Sequence, residues 1–269
     1  MNFGSVELLL LGLMAGLANV LGGLILFPPG IYTRFKAALK YLLALGAGFM
    51  LAVTFIEVLP KTISLWQSGE SAFSAETLIT PMALLLAGYL LTQFFEHTIA
   101  PHFHLGEEVH RSHEHLISTK SAYTAIGGLM IHTFFDGVSI SAASQVDYNA
   151  GLLVFIAVFL HKFPEGFTIA SIVLSSGRDK RAVLLATSLV GLTTFIGVLG
   201  FLLVGKNVGV TVNYALPLAC GVTLYVAASD LIPEVNHHGG KRPFVSLSVF
   251  AGVALFFLLH FLLHTLLGN

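Results

Sequence analysis

The sequence predicts an all-α polytopic membrane protein with eight spans in a 3+2+3 arrangement containing inverted repeats, and three observations carry that prediction. Hydrophobic residues make up 55% of the 269-residue chain and charged ones only 10%, with a mean hydropathy of +0.86; soluble domains carry about 25% charged residues. The apolar residues run in unbroken stretches near the roughly 20 residues a helix needs to cross a bilayer, without the alternation that marks barrel strands. Finally, two of the stretches repeat one polar motif and two others repeat a Gly, acidic and Pro pattern.

Span one, about 5–27, has neither a basic leader region nor a small-residue cleavage site, so it is read as a span and not as a removed signal peptide. Span two, about 37–58, ends in Glu57 before Pro60, and span three, about 78–98, ends in Glu96 and His97. The following segment, 99–119, holds His102, His104, His110, His113 and His115 among Glu107, Glu108 and Glu114. Such a tract suits low-affinity metal capture and is predicted to be disordered. Spans four and five, about 120–144 and 149–175, are joined by a gap so short that they must be antiparallel neighbours. Spans six to eight follow at about 181–205, 212–233 and 244–267, so residues 1–269 form one membrane domain.

Basic residues set the orientation. Arg34, Lys36, Lys40, Arg111, Lys120, Arg178, Lys180, Arg181, Lys241 and Arg242 fall on one side; Lys61 and Lys206 fall on the other, and Lys162 lies inside a span. A multi-pass protein of the cell (plasma or inner) membrane is predicted, with both termini extracytoplasmic and the His-rich segment cytoplasmic. A net charge of -1 gives no bulk attraction to nucleic acid. The single cysteine, Cys220, excludes an intrachain disulfide and a thiolate metal cluster.

Leu45 to Pro60 and Leu218 to Pro233 share Leu, Gly, Leu, Val and Pro in register, with Glu57 corresponding to Asp230. These spans run in opposite directions, so spans one to three are expected to mirror six to eight around the central pair. That is a common transporter plan, with the site near the midplane. Glu57 is expected near the outer surface, with Asp230 and Glu234 near the inner one, as carboxylates on a pathway.

The central pair carries the chemistry. His132-Thr133-Phe134-Phe135-Asp136-Gly137 and His161-Lys162-Phe163-Pro164-Glu165-Gly166 repeat the pattern H-x-x-x-[D/E]-G. Positions i and i+4 share a helix face, and each histidine lies about 12 residues into its span, ~18 Å deep. Ionisable groups at that depth cost from about 2.5 kcal/mol each. Their repetition at matched depth points to one site of four ligands, His132, Asp136, His161 and Glu165, for a divalent cation that takes imidazole and carboxylate. Ser139 and Thr168, three residues beyond the carboxylates, extend the same faces as candidate pathway hydroxyls. The competing reading of the motif is an interhelical hydrogen-bond network. Pro164 is expected to free the carbonyl of Leu160.

These residues resemble the ZIP (Zrt/Irt-like) divalent metal transporters: HTFFDG and HKFPEG match the fourth- and fifth-span signatures, and the resemblance extends over all eight spans. It implies inward movement of zinc, iron or manganese between spans four and five by a protein that works as a homodimer. Many members that resemble this sequence bind a second metal through Asn after the first histidine, an acidic or Asn residue in the fifth span and Glu in the sixth. Here those places hold Thr133, Lys162 and only hydroxyls such as Thr187, Ser188, Thr193 and Thr194. Lys162 is therefore expected to take over the second ion's electrostatic role, since an ammonium donates but does not ligate.

Two rivals are separable. Cation-diffusion exporters also use paired H/D-x-x-x-D motifs but have six spans. An intramembrane zinc hydrolase could be offered His260 and His264, but H-E-x-x-H is absent and no base or nucleophile accompanies that pair. The sequence reads as a transporter and not an enzyme, with no resident cofactor; the metal, Zn²⁺ before Fe²⁺, Mn²⁺ or Cd²⁺, is cargo.

Overall fold

The computed structural model describes residues 3–27, 31–67, 74–99, 119–204, 208–239 and 243–267. Helices account for nearly all of these residues, and eight are long and apolar enough to cross a membrane: α1 (Ser5–Leu24), α2 (Ala38–Gln67), α3 (Glu76–Thr98), α4 (Ala122–Val146), α5 (Tyr148–Leu174), α6 (Lys180–Val204), α7 (Thr211–Asn236) and α8 (Pro243–Leu266). The His-rich segment falls outside the described residues apart from its first and last positions.

The short turn between α4 and α5 works because Asp147 caps α5, its carboxylate accepting the Ala150 N–H while its own backbone is extended. At the other end of α5, Gly177 adopts φ 76, and the Arg178 N–H turns back to the carbonyl of Val173. α5 itself continues through Pro164.

Span two extends further than expected. Pro60 reads as a stop, yet the helix continues to Gln67. The reason is a π-helical turn, Val53–Val58, immediately ahead of it, in which the Leu59 N–H reaches the carbonyl of Thr54. Proline is excluded from a regular helix by its missing donor and by collision with the carbonyl four residues back; a wider turn shifts that carbonyl away. α7 does the same: Val226–Leu231 is π-helical, the Ile232 N–H reaches Ala227, and Pro233 follows.

The predicted inverted repeat is visible in the helix contacts. In α2 and α8, Gly48 lies against the carbonyl of Val249 and Gly252 against that of Leu45; in α7 and α3, Gly221 lies against Leu85 and Gly88 against Leu218, with identical spacing. Gly16 of α1 and Gly191 of α6 lie against each other's carbonyls. In the centre, Gly166 packs on Asn19 of α1, as Gly137 packs on Thr194 of α6. Backbones approach this closely only where one partner lacks a side chain. A pseudo-two-fold thus relates α1–α3 to α6–α8 and exchanges α4 with α5.

The core is formed by α2 and the central pair. The apolar windows of α2, α4 and α5 are 67%, 61% and 67% buried, against 17% for both α3 and α8, which flank the bundle. Large apolar side chains such as Leu90, Phe94, Phe250 and Phe261 face outward from α3 and α8, as lipid contact requires.

Candidate metal centre

The i, i+4 spacing does on α4 and α5 what the motif predicts, and tertiary packing adds the crossing. His132 Nε2 lies 3.4 Å from Glu165 Oε2, and His161 Nε2 lies 3.3 Å from Asp136 Oδ2, so each imidazole faces the carboxylate of the other helix. One donor atom from each of the four residues falls within 4.8 Å of all the others, and all four side chains are buried. Among the described residues this is the one such convergence of three or more His, Cys, Asp or Glu.

Ring nitrogens of both histidines could serve as donors to a cation. The carbonyl of Ala157 can only accept, so at 3.0 Å it takes the Nδ1–H of His161. In the neutral imidazole this leaves the Nε2 lone pair aimed into the cluster. Both ring nitrogens of His132 are buried without a hydrogen-bond partner; Nδ1 lies 3.4 Å from Glu96 Oε1 of α3. Buried polar atoms are rarely left in that state.

Lys162 is fully buried, and its Nζ donates to Glu165 Oε2 at 2.7 Å and to Asp136 Oδ2 at 2.8 Å. One ammonium between two carboxylates satisfies charges that would each cost several kcal/mol alone. Thr133 turns away: its hydroxyl donates to the carbonyl of Leu129 at 2.6 Å and accepts from Thr193 of α6 at 3.0 Å.

A cavity of about 710 Å³ reaches this cluster from the end where α3 and α7 finish, lined by His132, His161 and Glu165 at its depth and by Glu96, Asp230 and Glu234 toward its mouth. Thr168 lines it too, its hydroxyl donating to the carbonyl of Pro164. Ser139, the counterpart of Thr168 on α4, sits instead where Val53, Val154, Val158, Leu216 and Cys220 leave only about 10 Å³. Access is open on one side of the cluster and filled on the other.

The filled side ends in ion pairs. Glu57 is buried, held by Lys61 at 2.7 Å and by His260 Nδ1 of α8 at 3.2 Å, and Lys61 also pairs with Asp147 of the α4–α5 turn. Partial burial pushes the Asp147 carboxyl up, but the Lys61 ammonium outweighs it and holds the group below the usual carboxylate range. Glu57 is therefore pinned here and does not face an open mouth. His260 serves this pairing and stacks on Phe256, with ring centroids 5.6 Å apart.

The candidate pathway residues are thus divided between two ends: Asp230, Glu234 and Thr168 on the open side, Glu57 and Ser139 on the closed one. His102, His104, His110, His113 and His115 lie outside the described residues. Sequence reasoning missed Asn19, whose Nδ2 donates to Glu165 Oε1 at 2.7 Å, and undervalued Glu96. The signal for Asn19 was present, as a single amide in an apolar span.

A family model described as ZIP zinc transporter matches residues 106–260, which include both motifs. The chain is 30% identical over 121 residues to the zinc transporter ZIP10 of Homo sapiens, covering 45% of this chain and 15% of that protein. It is 32% identical over 106 residues to the metal cation symporter ZIP8 of Homo sapiens, covering 39% and 23%. With the zinc transporter ZIP9 of Micropogonias undulatus it shares 26% over 163 residues, covering 58% and 51%. These matches span well under two thirds of each relative's own length.

Proposed function

The chain belongs to the ZIP zinc transporter family, and from that premise we propose that it moves a divalent metal cation, zinc foremost, into the cytoplasm through a single site between α4 and α5. The observation that carries the reading is the convergence of His132, Asp136, His161 and Glu165 within 4.8 Å at the depth of an open cavity. Two imidazoles and two carboxylates offer the four mixed ligands of a roughly tetrahedral ion. Fe²⁺, Mn²⁺ and Cd²⁺ take the same donor types.

Lys162 stands where the resemblance to the family implies a ligand to a second ion. Its ammonium neutralises the carboxylates that would otherwise bridge two metals, so one cation is carried at a time. The distribution of Lys and Arg supports an orientation with the Asp230 and Glu234 mouth in the cytoplasm and both termini outside. On that orientation the cavity is the release route, with Glu96, Asp230 and Glu234 along it. Transport then proceeds by alternating access: the packed region around Ser139 opens to the exterior, through the surroundings of Glu57, as the cavity closes. The cell membrane and a homodimeric assembly complete the reading.

The test is metal uptake into proteoliposomes by wild type, His132→Ala and Glu165→Ala. Both variants are expected to lose uptake; unchanged uptake in both removes the site. Binding of two equivalents by the wild-type midplane ligands would remove the role given to Lys162.

A further inference from the structure

The two carboxylates of the cluster are not presented alike. Glu165 turns Oε2 inward, where it meets Lys162 Nζ at 2.7 Å, His132 Nε2 at 3.4 Å and His161 Nε2 at 4.0 Å. Its other oxygen, Oε1, accepts the Asn19 Nδ2–H at 2.7 Å. Asp136 also turns one oxygen, Oδ2, toward Lys162 and His161, but its Oδ1 is buried with no hydrogen-bond partner. Asp136 can offer a metal two oxygens, whereas Glu165 is left with one.

The asymmetry comes from one residue. Asn19 of α1 and Thr194 of α6 are two-fold mates, each pressed by its backbone carbonyl against the glycine that follows a motif carboxylate, Gly166 and Gly137 respectively. Both are fully buried. The amide of Asn19 spans the gap to Glu165; the Thr194 hydroxyl makes no hydrogen bond at all. Asn19 is neutral, so it fixes the orientation of Glu165 without competing for its charge.

We propose that Asn19 sets the metal selectivity of this transporter by holding Glu165 Oε1 and restricting that carboxylate to monodentate ligation. The inference rests on the four-residue site above. A site of two imidazole nitrogens and few oxygens fits Zn²⁺, which is content with four ligands. Mn²⁺ prefers octahedral oxygen surroundings, and ions that need more oxygens recruit bidentate carboxylates. Freeing Oε1 supplies the missing oxygen and relaxes the preference.

The experiment is Mn²⁺ against Zn²⁺ uptake by the full chain in proteoliposomes, with Asn19→Thr as the principal variant. Threonine already occupies the two-fold-related position, so the fold accommodates it there. Groups that orient metal ligands change metal affinity about 10–100-fold when removed, so the Mn²⁺-to-Zn²⁺ uptake ratio is expected to rise on the order of tenfold. Zinc-edge X-ray absorption of the variant is expected to gain an oxygen neighbour, which a merely structural defect would not produce. Asn19→Leu removes the donor with the same heavy-atom count and branching and is read by the same ratio. An unchanged ratio in both variants, in protein that still loses uptake on Glu165→Ala, overturns the role of Asn19 and leaves the metal site intact. Uptake that survives Glu165→Ala overturns the site and this inference with it.

Discussion

Glu57 and Asp230 occupy the fifth position of two π-helical turns, Val53–Val58 and Val226–Leu231, that are related by the internal two-fold. Their surroundings differ. Around Asp230 the neighbours are Glu96 and Glu234 at the mouth of a cavity. Around Glu57 the matching positions are His260 and Lys61, and both are paired with it. One end of the bundle therefore gathers three carboxylates beside a cavity, while its twin pairs the equivalent carboxylate with an ammonium and an imidazole.

Lys61 is expected to act as the latch of that closed end. A partly exposed ion pair contributes about 0.2–1 kcal/mol, so Lys61→Met should shift the open population by about 1.4- to fivefold. The single cysteine reports it, because Cys220 lies buried in the packed region beside Ser139. Labelling by a membrane-impermeant maleimide is predicted to accelerate by that factor in Lys61→Met; an unaltered rate would rule the latch out.

Lys162→Met leaves Asp136 and Glu165 buried without their ammonium. Breaking a buried pair costs about 3–5 kcal/mol, so the variant should melt well below wild type in metal-free detergent. Zinc should restore most of the loss, since a bound cation replaces the missing charge. Equal melting temperatures without metal would contradict the pairing.

The helix contacts predict matched effects at two-fold-related sites. A side chain at Gly48 would strike the carbonyl of Val249, and one at Gly221 that of Leu85. Overpacking costs about 1–3 kcal/mol. Gly48→Val and Gly221→Val should each lower the melting temperature by similar amounts, and a large effect in one with none in the other would break the symmetry argument.

The lowered Asp147 carboxyl makes a pH prediction. A carboxyl whose folded value is depressed stabilises the fold above its unfolded pKa, about 3.9. That stabilisation disappears as pH falls through the lowered folded value. Wild type should therefore lose melting temperature on acidification through this range, and Asp147→Asn should lose less. Parallel pH profiles would show that the Lys61 pairing contributes nothing to stability.

His132, Asp136, His161 and Glu165 were readable because a helix converts sequence spacing directly into a shared face. Glu57 and Asp230 were readable as equivalents because proline and acid recurred in register. The continuation of α2 through Pro60 was not, because proline reports a missing donor and says nothing of a wider turn just ahead that accommodates it. Asn19 and Glu96 stand out in the sequence only as polar residues in or at the end of apolar spans; that they meet the motif is not legible, because they come from α1 and α3, far from it along the chain.

By itself, then, the sequence determined eight membrane-spanning helices, the inverted repeat and the four converging side chains, since hydropathy, helical period and repeated motifs are local properties that survive without coordinates. Only the tertiary structure decided that each imidazole faces the opposite helix's carboxylate, that Lys162 bridges both acids, that Asn19 claims one oxygen of Glu165, and that a cavity opens past Asp230 while Glu57 is held in ion pairs. Those facts depend on which faces meet across helices, and the meeting is set by glycine-backed backbone contacts between segments distant in sequence.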